Sequence, residues 1–214
     1  MVSLRNKYGR GRAQRRQQGQ LRIIGGMWRS RRLRFLTDAE IRPTPDRVRE
    51  TVFNWLQEVV PGARCLDLFA GSGGLGLEAL SRGAAHVTLI DQDARVIEQL
   101  QENLTLLGAR NAELVCSDAF KFLAAHHSTQ PFDIVFMDPP YRDHLLGEAC
   151  ARLESSGLLA QAAWIYLECG SDEPPPALPA SWHYIHNRSA GQVGYHLAKK
   201  DPESDSASND LSTA

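Results

Sequence analysis

The chain has no run of about 18 or more apolar residues, which excludes a transmembrane helix. No apolar stretch follows its basic start, which argues against a secretory signal. Cysteine is scarce: Cys65, Cys116, Cys150 and Cys169 lie far apart, with no CxxC spacing. That speaks against a zinc ribbon or a disulfide framework and for reduced thiols in a cytoplasm. No metal site and no internal repeat are expected. What is present is globular in character, with 43% hydrophobic and 23% charged residues in 214. That length suits one domain with extensions, able to bury about two-thirds of its unfolded surface without staples.

Acid is missing from one end. Residues 1–37 hold eleven Lys and Arg and no Asp or Glu, so the remainder carries a balance of −12 within a net charge of −1. A basic arm on an acidic body fits a polyanion, nucleic acid first; a solvated tail that binds nothing is the plain alternative. Residues 1–20 are Arg, Gln and Gly, and 201–214 are acidic and Ser-rich; both are expected to be disordered. The folded body is expected at 21–200.

Leu21–Met27 and Arg31–Leu36 have the pattern of two short strands. Thr44 has the character of a helix N-cap and Pro45 of a first helical residue. Val48, Val52, Leu56, Val59 and Val60 then recur at helical spacing until Pro61-Gly62. From residue 63 strands (63–69, 86–91, 112–116, 132–137, 163–169) alternate with helices (74–82, 94–107, 118–126, 143–155). Short apolar runs such as VTLID suit strands covered on both faces, so a parallel α/β sheet is expected. Trp182–Asn187 and Val193–Ala198 predict an antiparallel pair at its edge, after a Pro-rich loop at 172–181.

The first of these strands enters Asp67-Leu-Phe-Ala-Gly71-Ser-Gly73-Gly-Leu-Gly76, a G-x-G-x-x-G loop before a helix. Such a turn lets a ligand lie against bare backbone. Asp91 ends the next strand, where a carboxylate can accept from ribose hydroxyls. This predicts a nucleotide or nucleoside site. The loop alone fits NAD equally well. Asp67 would repel a pyrophosphate and favour the ammonium and sulfonium of S-adenosylmethionine; alternatively it binds loop N–H groups. Asp118 follows the third strand, placed to accept from an adenine amine or to cap the next helix.

Strand 132–137 ends in Asp138-Pro139-Pro140-Tyr141. The prolines remove two N–H donors, leaving carbonyls and the Asp138 carboxylate as an acceptor-only corner. An exocyclic base amine, with two N–H groups, fits it. Accepting from both would localise the nitrogen lone pair towards an electrophilic methyl. Tyr141 could stack on the base, which must be unpaired or flipped out.

At these residues the chain resembles class I S-adenosylmethionine-dependent methyltransferases that act on amines. RIIGGMWRSRRLRF, RPTPDRVRETVFNWL and DLFAGSGGLGLEALSRGA further resemble the bacterial family that methylates guanine N2 in 16S ribosomal RNA. The resemblance covers about residues 21–198. It implies a Rossmann-like fold: a seven-stranded, mostly parallel sheet with an antiparallel C-terminal hairpin, over residues 62–200. It implies an N-terminal β-hairpin and helix extension at 21–61. It implies methyl transfer to guanine, of the guanine-966 type, in assembling small-subunit particles, by a cytoplasmic and monomeric enzyme with no membrane partner. Asp67, Gly71, Gly73, Gly76, Asp91 and Asp118 would bind the cofactor, and Asp138, Pro139, Pro140 and Tyr141 the guanine amine. The Arg42–Thr44 segment is expected to cross near the cofactor, with Thr44 touching it. Arg22, Arg29, Arg31, Arg32, Arg34 and Arg47 would face RNA, with Arg49 beside Arg47 on the helix's polar side. The competing functions are a DNA adenine-N6 methyltransferase, an NAD-dependent oxidoreductase and a non-catalytic RNA-binding protein.

Overall fold

The computed structural model describes residues 18–37, 43–125, 130–140 and 145–202. Alternation of apolar and polar residues folds β1 (Gln18–Arg22) against β2 (Arg32–Leu36) as an antiparallel hairpin. Leu21, Leu33 and Phe35 point inward, and Gln20, Arg22, Arg32 and Arg34 point out. Three of the residues expected in the N-terminal tail, Gln18, Gly19 and Gln20, are therefore strand. The first strand also ends at Arg22, short of Met27. The Ile23 N–H still donates across to the Arg31 carbonyl at 2.9 Å, but Ile24 and Gly25 each donate to the Glu78 carboxylate at 2.8 Å. Gly26, at φ 75°, then turns so close to the body that a Cβ would stand 1.8 Å from the Ser81 carbonyl oxygen.

Helix α1 (Asp46–Trp55) presents Val48, Val52 and Phe53 to the core. It ends at Trp55 and continues through turns to Val60, short of the expected stop at Pro61. Thr44 is not its cap. Pro45 takes that place with no side-chain bond, because the Thr44 hydroxyl is turned to Asp138 at 3.3 Å.

Strand and helix then alternate: β3 (Arg64–Asp67), α2 (Gly74–Ser81), β4 (His86–Asp91), α3 (Ala94–Leu107), β5 (Ala112–Cys116), α4 (Ala119–Ala125), β6 (Phe132–Met137), α5 (Leu146–Ser155) and β7 (Leu159–Gly170). The last hairpin is β8 (Trp182–Ala190) and β9 (Val193–Lys200). The sheet order is β5-β4-β3-β6-β7-β9-β8. Every pair is parallel except β7–β9 and β8–β9. Returning next to β7, β9 leaves β8 as the outer strand.

Two apolar layers cover the sheet. The N-terminal hairpin, α1, α2 and α3 pack on one face around Phe53, Leu77, Leu100 and Phe136. Helices α4 and α5 pack on the other around Phe122, Leu153 and Ile165. The β3–β6 junction, flanked by β4 and β7, sits under both layers, and its carboxyl end is where the chain must leave the sheet. Open parallel sheets bind ligands at that edge. Among the described residues, no helix is long and apolar enough to cross a membrane.

Candidate active site

The glycine loop joins β3 to α2. Gly71 (φ 46°) and Gly73 (φ 76°) take left-handed conformations that side chains disfavour. The Gly71 N–H donates to one Asp91 oxygen at 3.0 Å, and the Asp93 N–H to the other at 2.8 Å. The loop is thus tied to the end of β4, with Asp91 half-buried at the edge. Gly76 lies further in, within α2. Its N–H donates to Asp67 at 2.9 Å, and a Cβ there would meet Leu89 at 2.8 Å. The structure gives Gly76 a packing role.

Asp67 likewise serves the loop. Burial pushes its carboxyl up to about 7, against the lowering effect of the Gly76 and Phe69 amides and with a further push from Asp91. It therefore carries less than a full charge at neutral pH. Attraction between Asp67 and a sulfonium is weaker than the sequence alone implies. Asp118 caps α4 by accepting from the Lys121 N–H at 3.0 Å and stays half-buried at the same edge.

The proline corner follows β6. Asp138 is half-buried, Pro139 buried and Pro140 exposed; Tyr141 lies outside the described residues. Burial first, then the neighbouring carboxylates of Glu168 and Asp67, hold Asp138 well above the ordinary carboxylate range, while the Thr44 hydroxyl opposes them. A cavity of about 270 Å³ opens beside the corner, walled by Pro139, Pro140, Glu168, Glu173 and Pro174–Pro176 of the 172–181 loop.

Three residues take buried roles that their local patterns did not indicate. Arg49, expected on the polar side of its helix, is fully buried. Its guanidinium donates to the Asp46 carboxylate at 2.6 Å, the Arg22 carbonyl at 2.9 Å and the Thr44 carbonyl at 3.3 Å. It also stands 3.6 Å from the Glu78 carboxylate. Glu78, buried in α2, takes Ile24, Gly25 and the Arg82 guanidinium as well. This buried network locks the N-terminal hairpin to the helix that follows the glycine loop. Through Thr44 it reaches Asp138. So Thr44 braces the proline corner instead of capping a helix. Glu168, at the end of β7, is the third. The available signals were a lone Glu in an apolar helix (GLGLEAL) and a lone Glu in an apolar strand (IYLEC).

The candidate RNA face is partly assembled. Arg22, Arg29, Arg31, Arg32, Arg34 and Arg47 are all exposed. Arg22 and Arg32 are direct cross-strand partners, flanked by Arg34. Like charges so placed destabilise a hairpin, and Arg22 is relieved by Asp46 at 3.0 Å.

The edge bears carboxylates at Asp91, Asp118, Asp138 and Glu168, and its glycine loop contains no Lys or Arg. That acceptor set fits a ligand offering ammonium, hydroxyl and amine hydrogens, as S-adenosylmethionine does, and opposes a dinucleotide diphosphate. The sheet order and ligand edge define a Rossmann-like methyltransferase. More narrowly, the chain belongs to the family described as conserved hypothetical protein 95, whose model matches residues 21–199. It is 50% identical over 188 residues to ribosomal RNA small subunit methyltransferase D of Escherichia coli strain K12, covering 88% of this chain and 94% of that protein. The protein of the same name from Haemophilus influenzae is 41% identical over 84% of this chain and 93% of its own length. A solved structure of the Escherichia coli protein yhhF superposes with a TM-score of 0.77 at 49% identity, covering 86% of this chain and all of that one.

Proposed function

We propose that the chain transfers a methyl group from S-adenosylmethionine to the exocyclic N2 amine of a guanine in 16S ribosomal RNA, within assembling small subunits in the cytoplasm. The observation that carries this reading is the Asp138-Pro139-Pro140 corner, an acceptor-only turn at a sheet edge that also bears Asp91, Asp118 and the glycine loop. The similarity to small-subunit methyltransferases supports the RNA substrate. Asp91 would receive the ribose hydroxyls, Asp118 the adenine amine, and Gly71 and Gly73 the close approach of the cofactor. The cofactor supplies an electrophilic methyl.

The protein's part is positioning and electrostatics. Asp138 and the Pro139 carbonyl accept the two amine hydrogens, which turns the nitrogen lone pair out of conjugation and towards the methyl. The nitrogen would form its bond to the methyl as the methyl's bond to the cofactor sulfur breaks with its electron pair going to sulfur, and the nitrogen's surplus proton would pass to Asp138 or to water. A raised Asp138 is a better proton acceptor than an ordinary aspartate. Thr44, held by Arg49, fixes the carboxylate's rotation. The exposed arginines of β1 and β2 would hold phosphates while the base enters the site.

The test is incubation of the protein with labelled S-adenosylmethionine and small-subunit particles lacking the modification, followed by mass spectrometry of the digested RNA. One methyl on a guanine N2 is expected. Label confined to DNA adenine would refute the substrate. Affinity for NAD without affinity for S-adenosylmethionine would refute the class.

A further inference from the structure

The strand register places two acids side by side. Phe136 pairs with Tyr166 and Met137 with Leu167 across β6 and β7, so the next residues across are Asp138 and Glu168. Alternation puts both on the sheet face that carries Phe136 and Tyr166. Neighbouring strands lie about 4.8 Å apart. Glu168 is only 1% exposed to solvent, yet it lines the cavity beside Pro139 and Pro140. Its Oε2 accepts from the Tyr166 hydroxyl at 2.7 Å, which fixes the orientation of the carboxylate. Leu145, Leu146 and Pro175 give the cavity apolar walls that suit the flat faces of a base, and Glu173 adds a further acid to its lining.

Paired buried acids repel, and the repulsion is felt at Asp138. A ligand edge made only of donors relieves it. An edge carrying a lone pair adds to it. Guanine presents N1–H directly beside its N2 amine, a continuous row of donors. Adenine presents its N6 amine beside the N1 lone pair. The two bases therefore differ at the atom that faces the second acid.

We propose that Glu168 reads the Watson–Crick edge of the target guanine, accepting its N1–H while Asp138 and the Pro139 carbonyl hold the N2 amine; this rests on the guanine-N2 reading above. Glu168 is then the residue that sets guanine against adenine. It acts through an acceptor two strands from the cofactor loop.

The test uses small-subunit particles reconstituted with RNA carrying either guanine or 2-aminopurine at the modified nucleotide. The analogue keeps the 2-amino group but turns N1 from donor to acceptor. The wild-type protein should favour guanine by roughly 10- to 100-fold in kcat/KM, the discrimination of one well-made base-edge contact. Glu168→Gln offers an amide N–H to the analogue's N1. It should lose guanine activity about tenfold or more and narrow or invert the preference. Equal losses on both bases would assign Glu168 a structural role and overturn the proposal. A wild-type protein that methylates both bases equally would overturn it without any variant, so misfolding of Glu168→Gln does not shield it. A wild-type protein that leaves guanine N2 unmethylated would instead defeat the underlying substrate reading.

Discussion

Replacing Asp67 by Asn isolates the energetics of the buried acid beneath the glycine loop. The Asn carbonyl can still accept from the Gly76 N–H, so shape and the local hydrogen bond are kept. Only the ionisation is removed. In the folded protein burial raises the Asp67 carboxyl from its ordinary 3.8 to about 7. Below pH 4 the acid is protonated in both folded and unfolded chains and contributes no pH dependence. Between 4 and 7 the unfolded chain loses its proton while the folded one keeps it, so wild-type stability falls as pH rises. Each pH unit in that window is worth about 1.4 kcal/mol, so the full penalty above pH 7 is about 4 kcal/mol. The assay is urea denaturation of both proteins without S-adenosylmethionine at pH 5, 6, 7 and 8. The stability of the wild type relative to Asp67→Asn should decline by about 2.5 kcal/mol across that range, nearly all of it below pH 7.5. A difference independent of pH would show that Asp67 ionises normally and that the buried environment argued for the loop is wrong.

Arg49→Met removes the cation that faces Glu78, Asp46 and Thr44. Stripping one partner from a buried ion pair costs about 3–5 kcal/mol, and the low end applies because Glu78 keeps Arg82 and two amides; denaturation measures it. The doubly substituted Arg49→Met, Glu78→Gln should recover part of that loss. Converting Arg22, Arg32 and Arg34 to Gln should flatten the salt dependence of RNA affinity by roughly 0.7–0.9 in slope for each phosphate that is no longer neutralised, while leaving S-adenosylmethionine binding by calorimetry unchanged; an unaltered slope would remove the hairpin from the RNA face. Methyl transfer should fail as pH drops through a value above the ordinary carboxylate range, because Asp138 must be ionised to accept and its carboxyl is raised. A pH–rate profile flat down to pH 5 would contradict that.

Local signals made much of this legible. Helix α3 follows its apolar spacing, starts at the Asp93 side chain accepting from the Arg95 N–H at 2.8 Å, and stops where Gly108 turns left-handed. Strands β4 and β6 end where their apolar runs end, and both acids expected at the edge, Asp91 and Asp138, stand there. The departures share one cause: a partner distant in sequence outweighs a local rule. Thr44 has a cap's chemistry, but Asp138 claims its hydroxyl. Arg49 has a surface residue's chemistry, but Glu78 and two carbonyls draw it inside. The first strand has the propensity to run on to Met27, but Glu78 takes the amides of Ile24 and Gly25 and the Ser81 carbonyl that of Met27. Periodicity and capping preference describe one element at a time and carry no information about these pairings.

The distribution of charge explains how an acidic site can serve a polyanion. The phosphates of RNA would be repelled by the row of carboxylates at the sheet edge and attracted by the arginine face of the N-terminal hairpin. These surfaces are joined, because Glu78 and Arg49 fasten the hairpin to the helix behind the glycine loop. A backbone held on the hairpin can therefore present a base to the edge without bringing its phosphates there. What the edge accepts is then decided by donors alone. The base amine offers two hydrogens and no negative charge, so the field that excludes the backbone would also favour the group proposed as the methyl acceptor.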